Sequence, residues 1–273
     1  MRRAVRSILI AAAVALLARG TWAAAPPSGP LTKCPVDAVV AGTVCMDRFE
    51  ASVWRVPSAK TSNAGLVAKI QQGTVKVADL VAGGAIPLGT AIGDHYAPCA
   101  INGQNCANDI YAVSLAGVLP SRNITWLQAQ AACKNARKRL PSNAEWQAAV
   151  IGTPDPGPDN GTTDCNTFST LAPVVTGSRS SCVSADGAFD MVGNLDELVA
   201  DWVPRSTSCS DWSAGASPTD DGLCFGGAAT EGEPGVLRRG GDFLGNTLTG
   251  PLEVFGINSP SDAGKFVGFR CAR

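Results

Sequence analysis

Ile124 to Trp146 reads ITWLQAQAACKNARKRLPSNAEW, and it decides the fold because it spells two helices together with their start signals. Thr125 with Gln128, and Ser142 with Glu145, each set a hydroxyl before a side chain that can reach back to the free N–H groups of a first helical turn, the capping-box pattern. Between them Trp126, Ala129, Ala132, Cys133 and Ala136 recur at helical spacing. This predicts one helix from about Trp126 to Arg137 and a second from about Asn143 to Ile151.

Outward from this stretch the texture changes. Cys45 to Val56 (CMDRFEASVWRV) alternates in part and reads as a strand. Asn63 to Gly117 is rich in Ala, Gly and Val, and hairpins with a disulfide-closed loop are the expectation there. After the second helix, GTPDPGPDNGTTD is turn chemistry throughout and predicts a surface loop. From there to the C-terminus Gly, Ser, Asp and Thr dominate, so regular structure should be sparse.

At the N-terminus, Arg2, Arg3 and Arg6 precede an apolar run from Ile8 to Ala18, and small residues follow at Ala23, Ala24 and Ala25. That is the layout of a secretory signal peptide over residues 1–25, with cleavage after Ala23 or Ala25. The run is too short for a bilayer-spanning helix, so no membrane span is expected after cleavage. Residues 26–33 read as a mobile leader and 34–273 as a single domain, with an insertion at about 60–120. Removing Arg2, Arg3, Arg6 and Arg19 takes Lys plus Arg from 22 to 18 against 23 acidic residues, a net charge near −5. That is no footprint for nucleic acid.

All ten cysteines lie outside the signal peptide, as in a disulfide framework formed in an oxidising compartment. No C-x-x-C occurs and there is one histidine, so zinc ligation is disfavoured. Four pairs are close in sequence: Cys34 with Cys45, Cys99 with Cys106, Cys165 with Cys182, and Cys209 with Cys224. Cys133 and Cys271 remain. Ten cysteines admit on the order of a thousand connectivities, so spacing alone does not fix them.

Two further stretches, Gly187 to Trp202 (GAFDMVGNLDELVADW) and Arg238 to Cys271 (RRGGDFLG…VGFRC), complete a pattern with the first. In this order and at these separations the three resemble the sulfatase-modifying-factor family, whose best-known member is the formylglycine-generating enzyme. Its pattern runs V-x-W-x-x-A-x-x-[YF]-C, G-K-R-L-P-[TS]-x-A-E-W, G-L-Y-D-M-x-G-N-V-W-E-W-x-x-D-W, R-G-G-S, G-F-R. The resemblance implies an α+β fold, the formylglycine-generating-enzyme variant of the C-type lectin fold, with little regular structure and disulfide staples. It also implies a bridge from Cys133 to Cys271 and places Glu50 near the acid that opens the family's E-V-T segment. Such a bridge closes a loop of roughly 140 residues, worth about 4 to 5 kcal/mol in a chain-entropy account.

The resemblance further implies calcium, carried over by position to Asp190, Gly193, Leu195 and Glu197. A tight turn that mixes carboxylates with free carbonyls suits that ion. The alternative for the same residues is that Asn194 caps a short helix whose N-terminus Asp196 and Glu197 favour. Both tryptophans of W-E-W are replaced, by Asp196 and Leu198. A second calcium site would begin at Asn166, but SRSSC at Ser178 to Cys182 supplies no acid to complete it.

The family's oxidases place two copper-binding cysteines shortly after R-G-G-S; here those positions are Gly245 and Gly250, and Asp242 replaces the Ser. No cysteine lies between Phe225 and Arg270. Soft thiolates are what copper(I) requires, so no copper is expected. One imidazole, His95, cannot build the three-histidine iron site of sulfoxide-forming relatives, and a loop histidine that simply hydrogen-bonds is the expectation. Asp220 with Asp221 and Glu231 with Glu233 read as solvated loop acids. Arg137, Lys138 and Arg139 read as snorkelling side chains and helix C-terminal charge.

The sequence therefore predicts an exported, calcium-dependent member of this family without oxidase activity. It would recognise an extracellular or periplasmic carbohydrate or peptide. An oxidoreductase of modified chemistry on the same scaffold and a structural envelope or surface subunit are the alternatives.

Overall fold

The computed structural model describes residues 31–91, 96–97, 99–106, 110–208, 220–224 and 229–273. The signal peptide and most of the leader, His95 and Cys209 lie outside these residues. Leu31–Arg273 cluster as one compact unit.

The two capping boxes form. Thr125 accepts from the Gln128 backbone N–H at the head of α3 (Trp126–Asn135), and Ser142 accepts from the Glu145 N–H at the head of α4 (Asn143–Ala149). α3 turns its small face, Ala129, Ala132 and Cys133, into a core with Ile110, Leu140 and Phe269. α4 buries Trp146 fully, beside Met46, Met191 and Val199.

Before α3 the chain lays down β1 (Ala38–Ala41), β2 (Val44–Asp47) and β3 (Ala51–Arg55), so Cys45 to Val56 supplies two strands separated by a turn. β1 and β2 form an antiparallel ribbon. β3 is the centre of a three-stranded antiparallel sheet between β4 (Ile86–Leu88) and β5 (Ile110–Ser114).

The expected hairpins between Asn63 and Gly117 are in part helices: α1 (Ala64–Gln72) and α2 (Val77–Ala82). Leu66 and Ile70, one turn apart, bury the inner face of α1 against Trp54, Val56 and Tyr111. Gly73, at φ 71°, ends the helix by donating to Ile70 and Lys69 carbonyls.

The larger correction concerns the C-terminal half, where regular structure was expected to be sparse. A five-stranded sheet runs β10-β6-β8-β9-β7, built from β6 (Asp196–Ser208), β7 (Leu223–Cys224), β8 (Ala229–Arg239), β9 (Val254–Asn258) and β10 (Val267–Phe269). β6 has 13 residues and β8 has 11. Their pairing is antiparallel with three register shifts, which lets Pro204 and Pro234 sit opposite one another. Bulges tolerate prolines that a regular ladder excludes, so residues that look like breakers in the sequence lie inside long strands.

The C-terminus closes the molecule. Ala272 bridges Met46 and Arg139 as isolated antiparallel pairs, and Cys133 is bonded to Cys271 in the core. Cys34–Cys45, Cys99–Cys106 and Cys165–Cys182 are also bridged. Cys224 is disulfide-bonded; Cys209, its expected partner, lies outside the described residues.

Candidate functional site

The loop from Ala188 to Leu195 enters β6 and is the hub of the buried polar interior. Asn194 takes a positive φ of 62°, followed by a strand; it caps no helix. Its side chain instead ties three segments together. Asn194 Nδ2 donates to Glu50 Oε2 at 2.5 Å, while Asn194 Oδ1 accepts from Asn166 Nδ2 at 3.1 Å and from the Val174 N–H at 2.8 Å. The Leu195 N–H donates to the other Glu50 oxygen at 3.0 Å. Glu50 is fully buried, and that burial, with Asp190 and Glu197 nearby, pushes its carboxyl well above the usual range.

Glu197 faces a cation of the protein itself. Arg270 Nε donates to both Glu197 oxygens at 2.8 and 2.7 Å, Arg270 Nη2 adds a bond of 2.5 Å, and Trp146 Nε1 donates at 2.7 Å. Arg270 also reaches the carbonyls of Asp47 and Phe189 at 3.0 and 2.8 Å. Asp190 Oδ2 accepts from the Gly177 N–H at 2.7 Å, and burial pushes its carboxyl up to about 7.

Asp190, Gly193, Leu195 and Glu197 therefore share one loop and strand start, but Glu197 does not fit the calcium role. Its oxygens are spoken for by a guanidinium and an indole, and a calcium ion there would have to displace Arg270. Among the described residues no three of His, Cys, Asp or Glu form a metal-holding group. Asn166 works within the protein, donating also to the Ala172 carbonyl and accepting from Thr170. Asp196 pairs with Arg238 at 2.6 Å.

Lys138 was read as a snorkelling side chain and is instead buried. Its ammonium contacts Asp37 at 2.7 Å and Asp47 at 2.6 Å. Burial raises Asp47; at Asp37 burial acts the same way, but Lys138 and Arg273 outweigh it and hold that carboxyl low. Arg139 does stay at the surface, with Glu145. In the sequence Lys138 was visible only as part of a basic run with Arg137 and Arg139, and Glu50 and Arg270 only through their place in family motifs.

Gly245 and Gly250 flank a short 3-10 helix, Asn246–Leu248. The space that a side chain would need at Gly245 holds the Thr249 hydroxyl, and at Gly250 it holds the Asp221 carboxylate. Asp221, read from the sequence as a solvated loop acid, is fully buried. Every cysteine among the described residues is bridged.

Residues 95–273 match the family described as Sulfatase-modifying factor enzyme 1-like domain, which is more than half of the chain. The protein belongs to that family. No curated protein matches the chain. Among solved structures, PvdO from Pseudomonas aeruginosa is 20% identical over 84% of this chain and 80% of its own, with a TM-score of 0.43. The P3c variant of the Major Tropism Determinant is 18% identical over 63% of this chain, with a TM-score of 0.39, and this chain spans 47% of that protein. CarF is 18% identical, covering 57% of this chain and 68% of its own, with a TM-score of 0.36. The fold of this sulfatase-modifying-factor member is α+β, with four α-helices and three sheets among the described residues.

Proposed function

We propose that this family member is an exported recognition or scaffold module that does not carry out the copper-dependent oxidation of cysteine. The observation that carries this reading is the pair Gly245 and Gly250, whose flanks are filled by Thr249 and Asp221. Hydroxyl and carboxylate oxygens are poor partners for copper(I), and the cysteines among the described residues are all bridged. The bridges also favour an oxidising compartment, and no helix among the described residues is long and apolar enough to cross a membrane.

Recognition is supported by a cavity of about 460 Å³ where β6 and β8 pair, lined by Trp202, Val203, Pro204, Gly232, Glu233 and Pro234. Trp202 is 46% exposed and rests edge-on against Trp126. An exposed ring beside a carboxylate and backbone groups suits a sugar face or an extended peptide. The decisive experiment incubates the purified protein and copper with a sulfatase-type cysteine peptide, then profiles it on glycan and peptide arrays. Formylglycine formation would overturn the reading. Specific binding lost in Trp202→Ala is the expected result, and arrays without any hit would favour the scaffold role.

A further inference from the structure

Resting on the recognition reading above, we infer that the cavity at Trp202 is a site for an uncharged pyranose, its ring stacked on the indole and its hydroxyls shared between Glu233 and Arg205. The cavity has its cause in the strand register. Pro204 pairs with Pro234 and Ser206 with Thr230, so Arg205 alone on β6 opposes residues 231–233 on β8. Extra residues on one strand bend it away from its partner. The space that opens, about 460 Å³, is bounded by Trp202 and Pro204 on β6 and by Gly232, Glu233 and Pro234 on β8.

The platform is in place before any ligand arrives. Trp202 and Trp126 have ring centroids 5.0 Å apart at 74°, and Trp126 is itself tied down by its Nε1, which donates to the Val199 carbonyl at 2.8 Å. Directly across from Trp202, Val236 is buried in the core against which Trp126 packs. Two residues further along the strands, on the same face, stand Pro204 and Pro234. An indole held in this way loses little freedom on binding, and the negative face of its ring suits the C–H side of a sugar.

The polar groups choose between ligand classes. Arg205 Nη1 lies 3.4 Å from Glu233 Oε2, with side-chain exposures of 32% and 65%. A guanidinium and a carboxylate side by side carry no net charge, so an anionic or cationic ligand would have to break the pair to be matched. A sugar needs no such exchange. Each hydroxyl both donates and accepts, and vicinal hydroxyls meet an acceptor and donors next to one another. An extended peptide is less well served, because peptides that add to a sheet bind through main-chain hydrogen bonds, and Pro204 and Pro234 have no N–H. Beyond Leu198, where the pairing with β10 ends, two main-chain groups of β6 are also taken: the Val199 carbonyl by the Trp126 indole, and the Ala200 N–H by the Pro141 carbonyl at 2.7 Å.

The test titrates the full chain, by calorimetry at constant ionic strength, with neutral hexasaccharides of glucose, mannose, galactose and N-acetylglucosamine. Hexagalacturonate and a chitosan hexamer serve as the charged probes, and a proline-rich decapeptide as the peptide probe. Saturable binding of at least one neutral hexasaccharide is expected, and of neither charged one. Trp202→Ala and Glu233→Ala should each weaken it about tenfold or more, while Trp202→Phe, which keeps an aromatic face, should retain most of it. Glu233 is exposed, so Glu233→Ala decides the matter if Trp202→Ala fails to fold. No neutral binding, tighter binding of a charged hexamer, or an affinity unchanged in either alanine variant overturns the site. Binding of the decapeptide alone, lost in Trp202→Ala, overturns the sugar and leaves the recognition reading standing. Formylglycine formation overturns that reading and leaves the sugar titration untouched.

Discussion

Glu197 and Arg270 form a fully buried pair that joins the start of β6 to the last strand of the chain, with side-chain exposures of 1% and 0%. The Glu197 carboxylate is further fixed by Trp146 of α4, and the Arg270 guanidinium by carbonyls of the β2 end and the loop before β6. Four separate chain segments thus meet on one ion pair. Burial alone would weaken the hold of Arg270 on its proton, but Glu197 more than compensates and raises it.

Removing one member of such a pair strands a charge in the interior, which typically costs about 3 to 5 kcal/mol. Glu197→Ala should therefore lower stability by that order. Arg270→Lys should also be damaging, because an ammonium cannot reproduce the planar fork. Urea denaturation in calcium and in chelator checks the cause: the loss should be the same in both. A loss confined to calcium-containing buffer would return Glu197 to the role of a metal ligand.

A second prediction concerns pH. Burial raises Glu50 and brings Asp190 up to about 7, so the native state holds protons that the unfolded chain has released above about pH 4. When the folded state binds more protons, stability falls as pH rises, here between about 4 and about 7. Asp37, Glu145 and Asp159 are shifted the other way, so the stability they add is lost as pH falls below about 4. The melting temperature should peak near pH 4 and decline toward pH 8. Asp190→Asn, which has no proton to release, should flatten the upper limb. A wild-type curve that is flat or rising from pH 5 to 8 would show that these carboxyls are ionised in the native protein.

Local chemistry was legible in the sequence where the signal was local. Thr125 and Ser142 announce α3 and α4 because a cap is a contact between neighbours in the chain. β6 and β8 were hidden, since Pro204, Gly232, Pro234 and Gly235 break every short-range strand pattern, and only the bulged partner strand shows why they are tolerated. α1 was hidden by its Ala- and Gly-rich composition. The charge network was hidden for a different reason: Lys138 and Glu50 look like ordinary surface charges until partners more than a hundred residues away, Asp37 and Asn194, close around them. The family motifs singled out the Asp190 to Glu197 loop as a calcium site, and in the structure its Glu197 carboxylate is paired with Arg270. What they could not convey is that Arg270 occupies the electrostatic role expected of an ion.

The disulfides should differ in weight. Cys133–Cys271 spans 138 residues and Cys99–Cys106 only 7. Loop-closure entropy assigns the long bridge about 2.6 kcal/mol more than the short one. Cys133 also sits in the core with Ala129, Ala132 and Phe269, so its loss disturbs packing as well. Cys133→Ala with Cys271→Ala should therefore lower the denaturation midpoint more than Cys99→Ala with Cys106→Ala. Equal midpoints would mean that the unfolded chain is already constrained by other contacts.

Restoring the missing thiolates should fail to restore an oxidase. Gly245 has an ordinary helical φ of −74°, so a cysteine there meets no backbone strain. The obstacle is space: its Cβ would collide with the Thr249 hydroxyl, and a Cβ at Gly250 with the Asp221 carboxylate. Displacing Asp221 would in turn free the Leu252 N–H that it accepts from. Overpacking of this kind costs about 1 to 3 kcal/mol at each site. Gly245→Cys with Gly250→Cys should therefore melt lower than wild type and bind copper(I) weakly, and neither protein should convert a cysteine peptide to formylglycine when followed by mass spectrometry. Adding Thr249→Ala and Asp221→Ala to the double variant removes both obstructions. If that quadruple variant gains tight copper binding while the double variant does not, the oxygens of Thr249 and Asp221 are what closed the thiolate site; if the double variant already binds copper tightly and turns over, the site was never closed.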